Sequence, residues 1–538
     1  MEIRELTTDV LIVGGGTGGT AAALAACASG LKVILTEESD WLGGQFTTQA
    51  TPPDEHGWIE EFGATRSYRK FRADVRRHYR DNYPLTAKAK KEPFLNPGNG
   101  WVSPLCAEPK VYLRVLESYT APFVATGRLR IFYEHYATAA ETVGNRVKSV
   151  TLVDLQSKEA IKVAAKYFID ATDLGDLLPL VGAEFVTGSE GKDETGEPSA
   201  RVMPRKNNTQ AFSVCFAMSH HEGEDHTIER PADYDFWRRF VPDLNPPWSG
   251  ELLSLTGLSP RDLTPVQYNF QPHKEPREAF AGLWTYRRIR DRENFAPGAF
   301  DSDITLVNYP QIDYLLGDLS NVACLDQKLE MIDEAKQQSL SFLYYLQTAH
   351  GFRGLKLRPD ITGTADGLAK MPYIRESRRI AAEFTVLEQH VSAACRPGAH
   401  LAANFADSVG VGFYRIDLHP TVGGDNYVDV EALPFQIPLG ALIPRRIENL
   451  LPASKNIGTT HITNGCYRLH PVEWNIGEAV GNLTAFCLRG GVSPKEVRAR
   501  EDLLKDFQKM LIERGFELEW RAGLNLADGD PHRFAMKK

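Results

Sequence analysis

The chain has 538 residues, of which 42% are hydrophobic and 24% are charged, and its formal net charge is -9. That length predicts a large core shared by two or three domains. The acidic balance and the lack of long basic runs argue against binding to nucleic acid or to a membrane surface. Its seven cysteines form no C-x-x-C pair, which predicts no metal site and a reducing compartment. We expect a cytoplasmic protein without a membrane span.

The chain opens with a strand, a glycine-rich turn and a helix. Residues 10–13 are continuously apolar, as in a parallel strand that is covered on both faces. The turn "GGGTGG" follows, and an alanine-rich stretch predicts a helix up to Ser29. A second apolar run, residues 31–35, leads to Glu37. This order is typical of a dinucleotide-binding β-α-β unit.

The residues of this unit have predicted roles in holding a dinucleotide. Gly14 permits the tight turn, Gly16 lets the backbone approach a pyrophosphate, and Gly19 lets the helix pack on the strand. Thr17 lies at the start of the helix, whose unpaired N–H groups and positive end attract phosphates. Glu37 is placed to accept hydrogen bonds from ribose hydroxyls, and its charge disfavours the 2′-phosphate of NADP. The turn alone does not decide between NAD and FAD.

The segment after the second strand is predicted to pass close to a flat ligand. Gly43 and Gly44 carry no side chains, and Gln45 can form hydrogen bonds with a ring. A proline-stiffened turn follows, and then a charged helix over residues 59–83. His56, in this turn, is a candidate to overhang a binding pocket; a surface histidine beside helix N-terminal acids is the equal alternative.

Later elements alternate between strands and helices. Short strands separated by turn residues predict a β-meander that ends at Ala171 and Thr172. Residues 201–430 are rich in Pro, Trp, Tyr and His and contain an amphipathic helix over 326–350. Near the C-terminus a short strand and turn precede three further predicted elements: a polar loop, a helix over 472–488, and an amphipathic tail helix over 493–513.

This order of elements resembles the bacterial FAD-dependent oxidoreductases with the glutathione-reductase-type fold, which are distantly related to the fumarate reductase flavoproteins. The resemblance rests on the glycine turn with Glu37 and on five further stretches: "WLGGQ", "FIDATDLGD", "PYIRESRRI", "YRIDLH" and "GEAVGNLTA". Asp173 departs from the Ala-Thr-Gly that is usual in such families. The resemblance implies an extended FAD, with Ala171, Thr172 and Asn475 added to the cofactor contacts.

The implied architecture is α/β. A Rossmann-like FAD-binding domain, with a parallel sheet and a β-meander, would be interrupted by an α+β substrate domain and followed by a C-terminal helix. The predicted boundaries are 1–200 and 431–490 for the FAD-binding domain, 201–430 for the substrate domain and 491–538 for the tail.

Two histidines are candidates for the base that accepts a proton while a hydride leaves the substrate. Imidazole titrates near neutrality and needs little tuning for this role. His461 precedes the helix whose start is expected to meet the flavin. His419 ends a strand, where alternation puts Asp417 on the same face to orient it. A buried structural histidine is an equal alternative for His419, and His470 joins His56 as a candidate substrate contact.

Arg375, Arg378 and Arg379 follow helical i, i+3, i+4 spacing, so a cationic helix face is predicted. Arg375 and Arg379 are the candidates to bind a substrate carboxylate. The alternative is an internal salt-bridge network with Glu376, which we favour for two of the three arginines.

The functional prediction is an FAD-dependent dehydrogenase or oxidase that transfers a hydride from a small polar alcohol or amine to flavin N5. Oxygen, a quinone or a protein would then accept the electrons. One alternative is a flavin monooxygenase reduced by NAD(P)H, although no second G-x-G-x-x-G has the β-α-β context. Another is a non-catalytic electron-transfer flavoprotein.

Overall fold

The structure, a computed structural model, describes residues 3–273, 282–322 and 324–530. A seven-stranded sheet lies at its centre. Its strands are β1 (Arg4–Val13), β2 (Val33–Glu37), β3 (Leu129–Tyr133), β4 (His135–Val143), β5 (Arg146–Asp154), β6 (Ala160–Asp170) and the late strand Leu450–Pro452. The strand order is β3-β2-β1-β6-β5-β4. The late strand pairs with residues 168–170 of β6, which follow the residues of β6 that pair with β5.

Two pairing patterns meet in this sheet. β3, β2, β1, β6 and the late strand run parallel, whereas β4, β5 and β6 form an antiparallel meander. Val10, Leu11 and Ile12 are fully buried, as expected of a parallel strand that is covered on both faces. The predicted Rossmann-like sheet with a β-meander is confirmed.

Helix α1 (Thr17–Ala28) crosses helix His470–Gly490 at very short range. A Cβ atom at Gly477 would lie 2.0 Å from the carbonyl oxygen of Gly18, so only glycine fits there. This close crossing brings the first turns of the two helices together at the carboxyl edge of the parallel strands.

Three predicted helices differ from the observed ones at their ends. The predicted helix over 59–83 begins at Arg66, because the Thr65 hydroxyl caps it by accepting the N–H of Tyr68. The predicted tail helix is interrupted at Arg500, whose backbone is extended. The helix predicted over 472–488 begins at His470. The α-helices other than α1 are Arg66–Asn82, Ala87–Lys91, Pro109–Ala125, Leu177–Leu180, Lys192–Thr195, Tyr234–Arg239, Leu283–Tyr286, Leu325–Thr348, Pro359–Thr362, Glu388–Val391, His461–Tyr467, His470–Gly490, Pro494–Ala499, Glu501–Glu513 and Leu526–Gly529.

The middle of the chain has its own antiparallel sheet of four strands. In spatial order they are Arg288–Arg290, Ile304–Val307, Phe216–His220 and Leu355–Leu357. The remaining strands form five pairs: Thr256–Leu258 with Pro265–Gln267, Phe212–Ser213 with Asp313–Tyr314, Phe185–Val186 with Arg379–Ile380, Ser408–Gly412 with Phe435–Pro438, and Ile416–Leu418 with Val428–Val430. Within the described residues, no helix is long and apolar enough to cross a bilayer.

Candidate active site

The glycine turn lies over the carboxyl ends of β1 and β6. A Cβ at Gly14, whose φ is +99°, would lie 2.4 Å from the carbonyl oxygen of Ala171, so the position requires glycine. Gly16 is different, because a Cβ there would meet no protein atom closer than 3.9 Å. It borders an open cleft at the start of α1. An anionic group can therefore approach the helix N-terminus over Gly16.

The cleft extends along the ends of the parallel strands. It is lined there by Val13, Thr36, Glu37, Ala171 and Thr172. The carboxylate of Glu37 accepts the N–H of Gly15 at 2.9 Å and the N–H of Ser39 at 3.0 Å. Burial raises the pKa of Glu37 to about 8. Its position at the end of β2 suits acceptance of ribose hydroxyls, as the sequence predicts.

The cleft also receives a residue from the middle of the chain. Lys328, on helix Leu325–Thr348, lines it and pairs with Glu38 at 3.1 Å. Its ammonium lies 5.3 Å from the centre of the Tyr136 ring. The middle section thus closes one side of the cleft, which sequence patterns gave no means of predicting.

The loop Gly43–Gln45 passes directly against the glycine turn. A Cβ at Gly44 would lie 2.8 Å from the Cα of Gly16. The Gln45 amide donates to the carbonyl oxygen of Arg468 at 3.1 Å and to the carboxylate of Glu473. Gln45 therefore links this loop to the first turn of helix His470–Gly490.

The motif after β6 is held by Asp170. Its carboxylate accepts the N–H of Thr172 and the N–H of Leu177, both at 3.1 Å. Asp173, which departs from the usual glycine, accepts the Gln49 amide at 2.7 Å and pairs with Lys455. The resemblance implies a contact between the cofactor and the backbone at this position, but the ion pair between Asp173 and Lys455 lies there.

A second, larger cavity of about 440 Å³ lies beside the cleft. Both spaces border the segment 371–375. Met371 and Ile374 line the cleft, whereas Tyr373 and Arg375 line the large cavity. The cleft and the cavity therefore lie next to each other along this segment.

Buried charges gather at one end of the large cavity. Arg287 and Arg468 are 9% and 3% exposed, and Asp54 is 5% exposed. Arg287 Nη1 lies 3.7 Å from Asp54 Oδ1, which is too long for a hydrogen bond. Arg287 Nε and Nη1, Arg468 Nε and Asp54 Oδ1 all lack hydrogen-bond partners in the described part of the chain. Burial raises the pKa of Asp54. Buried donors of this kind indicate a place for an anionic ligand.

His419 lines the large cavity and is oriented by an aspartate. Its Nδ1 lies 2.7 Å from Oδ2 of Asp313, which is 2% exposed. Burial opposes ionisation of Asp313, but Arg375 and His419 outweigh it and lower its pKa. The carboxylate therefore holds the proton on Nδ1 and leaves Nε2 as an acceptor. The prediction that Asp417 orients His419 is wrong, because the Asp417 carboxylate lies 3.5 Å from Arg468.

His461 lies in a different place from His419. Its Nδ1 is 3.0 Å from both carboxylate oxygens of Glu376. It lines another, smaller cavity of about 180 Å³. The linings of this smaller cavity and of the large cavity share His419 and Tyr427. Burial lowers the pKa of His461, but Glu376 outweighs this effect and raises it.

The arginine-rich segment is not a helix. Residues 373–378 form neither a helix nor a strand, apart from one bridge at Tyr373, and Arg379–Ile380 is a short strand. Arg379 is fully buried and donates to Glu376, to Glu190 and to the carbonyl oxygen of Gly188. The prediction that Arg379 binds substrate is therefore wrong, because its donors are already used.

Arg375 does line the large cavity, and it is only 1% exposed. Its Nη2 lies 3.0 Å from Oδ1 of Asp313, and its Nη1 donates to the carbonyl oxygen of Ala211 at 2.7 Å. Arg375 thus orients Asp313 and leaves only its Nε without a partner among the described residues.

Three other candidates lie away from the large cavity's lining. Both ring nitrogens of His56 form hydrogen bonds with the backbone, one with the carbonyl oxygen of Gly63 and the other with the N–H of Trp58. The residue is fully buried, so it is neither a pocket residue nor a surface histidine. His470 accepts the N–H of Asp54 at 3.2 Å, and burial lowers its pKa to about 3. Asn475 faces away from the cleft and donates to the carbonyl oxygen of Val409.

A family model described as FAD dependent oxidoreductase matches residues 9–511. The chain therefore belongs to this family of FAD-dependent oxidoreductases, and FAD is its cofactor. The residues of the cleft suit that cofactor, because Gly16 leaves an approach to the start of α1 and Glu37 supplies an acceptor. The cleft has a volume of about 30 Å³, and the Glu473 carboxylate accepts the N–H of Gly18 at its edge, at 3.4 Å. No curated protein matches the sequence significantly.

The structural comparisons give oxidoreductases of several kinds. Quinol fumarate reductase FrdA of E. coli is 12% identical, with a TM-score of 0.30, and 95% of this chain covers 74% of it. OxyS anhydrotetracycline hydroxylase from Streptomyces rimosus is 11% identical, with a TM-score of 0.33, and 94% of this chain covers 66% of it. L-proline dehydrogenase from P.horikoshii is 19% identical, with a TM-score of 0.17. The match covers 35% of this chain and 25% of that chain. At these values the comparisons say nothing about the substrate.

Proposed function

We propose that the protein is an FAD-dependent dehydrogenase or oxidase that oxidises an alcohol or amine bearing an anionic group, bound in the 440 Å³ cavity. The observation that supports this most strongly is the pair of buried arginines, Arg287 and Arg468: Nε and Nη1 of Arg287 and Nε of Arg468 lack protein acceptors within the described residues. Leaving such donors unsatisfied costs free energy, and a bound carboxylate would remove that cost.

His419 is the base in this proposal. The Asp313 carboxylate holds Nδ1–H, so Nε2 is available to accept the proton from the substrate hydroxyl or ammonium group. Arg375 lowers the pKa of Asp313 against the effect of burial and keeps that carboxylate charged. His461, our other candidate, pairs with Glu376 in the neighbouring cavity and is not assigned this role.

The cofactor is held by the residues around the cleft. The start of α1 over Gly16 and Thr17 would receive the phosphates, and Glu37 would accept the ribose hydroxyls. The loop Gly43–Gln45 would lie beside the same ligand. When bound, FAD supplies the two-electron acceptor that takes a hydride from the substrate carbon.

Anaerobic bleaching of the bound flavin tests this proposal. Hydroxy acids, amino acids and sugar acids are each added to the holoenzyme, with neutral analogues as controls, and the visible spectrum is followed. We expect only anionic compounds to bleach the flavin, and the change Arg287→Met to abolish the effect while FAD stays bound. Bleaching by NADH or NADPH alone would instead favour the monooxygenase alternative.

A further inference from the structure

The large cavity has two chemically different ends. Arg287, Arg468, Asp54 and Asp417 interact electrostatically with one another at the first end. Tyr286, Tyr373 and Tyr414 belong to the same group, since Asp54 and, to a smaller extent, these three tyrosines raise the pKa of Arg287 against the effect of burial. This end combines cationic donors with aromatic walls.

The other end is mainly apolar and aromatic, although three charged side chains also line the cavity, those of Arg261, Arg415 and Asp429. Leu283, Tyr268 and Tyr309 belong to one hydrophobic cluster of the middle section. Leu258 and Tyr427 belong to a second cluster, which meets the first at the cavity. Aliphatic side chains at this end offer no hydrogen bonds, so a sugar body would leave its hydroxyls unsatisfied there.

The base and the apolar end lie next to each other. The ring of His419 is 5.7 Å from the ring of Tyr427, and the two are nearly perpendicular at 67°. Burial and, to a smaller extent, Asp313 raise the pKa of Tyr268. The pair of Asp313 and His419 therefore lies in the same region as Tyr268 and Tyr427. A substrate that reaches His419 therefore contacts the aromatic end as well as the charged one.

We propose that the substrate is an amphiphile with a carboxylate at one end and a flat, aromatic body at the other. This inference rests on the proposed function and narrows it. It also replaces the expectation of a small polar molecule, because a cavity of about 440 Å³ lined by six tyrosines exceeds what a small hydroxy acid would fill. Tyrosine faces and edges at the cavity wall suit aromatic contacts with ring centres about 4.5–7 Å apart.

Equilibrium binding to the oxidised holoenzyme tests the proposal without turnover. Calorimetric titration is used with 3-phenylpropionate, 3-phenylpropionamide, butyrate and glucuronate, and the flavin absorbance is recorded in parallel. We expect 3-phenylpropionate to bind at least about tenfold more tightly than the other three ligands, since it alone has both the carboxylate and the aromatic ring. Equal binding of the amide, tighter binding of glucuronate, or no binding at millimolar concentration would overturn the proposal.

Two variants and one control separate the ends of the cavity. Arg287→Met is expected to remove the advantage of 3-phenylpropionate over its amide. Val266→Trp, which narrows the apolar end from a partly exposed position, is expected to weaken both phenyl compounds and to leave butyrate unchanged. Arg446→Met removes a charge from an exposed pair with Glu184, at a residue that does not line the cavity, and should change none of the affinities by more than about twofold.

Two different outcomes would show whether the substrate class or the proposed reaction is wrong. If glucuronate binds best and also bleaches the flavin, the oxidoreductase assignment holds and the aromatic substrate class is wrong. If 3-phenylpropionate binds as expected but no hydroxy or amino derivative of it bleaches the flavin, the class of ligand holds and the proposed reaction is wrong.

Discussion

Asp313 Oδ2 lies 2.7 Å from Nδ1 of His419, and the two residues are 106 positions apart in the sequence. The hydroxyl of Ser213 and the guanidinium of Arg375 bind the other carboxylate oxygen, at 2.8 Å and 3.0 Å. The aspartate is thus fixed on both sides, and its charge sets the tautomer of the histidine. This contact, rather than the predicted Asp417–His419 pair, underlies the proposed chemistry.

The first prediction concerns the charge of Asp313. Asp313→Asn keeps the size of the side chain but removes the charge that fixes the histidine tautomer. We expect anaerobic flavin reduction to slow by about 100-fold or more, with little change in substrate affinity. Stopped-flow reduction at several substrate concentrations separates the two effects, and an unchanged limiting rate would argue against the dyad.

The second prediction concerns the approach to the phosphates over Gly16. A Cβ at this position meets no protein atom closer than 3.9 Å, so we expect the side chain in Gly16→Val to fill the space of the cofactor. We expect colourless protein with an unchanged circular dichroism spectrum. Gly490→Ala is the matched control: its Cβ would lie 3.5 Å from Val492, so FAD content should stay at the wild-type level. Full flavin occupancy in Gly16→Val would contradict the assigned cleft.

The third prediction concerns pH and the ribose acceptor. Burial raises the pKa of Glu37 to about 8, so the carboxyl of the apoprotein is protonated at lower pH. The ionised form is the better acceptor for ribose hydroxyls, so FAD affinity should rise from about pH 6 to about pH 9 as the proton is lost. Glu37→Gln should bind FAD more weakly at high pH and lose this part of the pH dependence. Fluorescence titration of the apoprotein with FAD measures both.

The fourth prediction assigns Arg379 to stability. Its side chain is 1% exposed and pairs with Glu376 and Glu190. Arg379→Met leaves buried carboxylates without their partner and should cost about 3–5 kcal/mol of unfolding free energy. Arg446→Met, which breaks a largely exposed pair with Glu184, should cost about 0–1 kcal/mol. Urea unfolding compares the two, and similar small losses would contradict the structural role.

Short-range patterns were enough to predict the cofactor domain. The glycine turn, the apolar runs and Glu37 lie within 28 residues (10–37), so one local unit carries the whole motif. The first turn of the helix over 472–488 was also approximately located, because proline at its start is a local signal.

The large cavity could not be predicted in the same way. Asp54, Arg287, Arg468 and Asp313 come from distant parts of the chain, and no spacing relates them. Arginine spacing at 375–379 predicted a helix, but hydrogen bonds from all three guanidinium groups to carboxylates and carbonyls elsewhere in the chain overrode that local pattern. Asp417 shares strand alternation with His419, whereas the true partner approaches from another strand, Asp313–Tyr314.

The most direct test of the account is the rate at which the substrate identified by anaerobic screening reduces the flavin in His419→Gln, compared with wild type and with His461→Gln. Single-turnover absorbance at neutral pH gives this rate with FAD bound throughout. The account predicts that His419→Gln is slower by about 100-fold to 10,000-fold and that His461→Gln stays within about tenfold of wild type. A His419→Gln rate close to wild type, with the loss in His461→Gln instead, would contradict it.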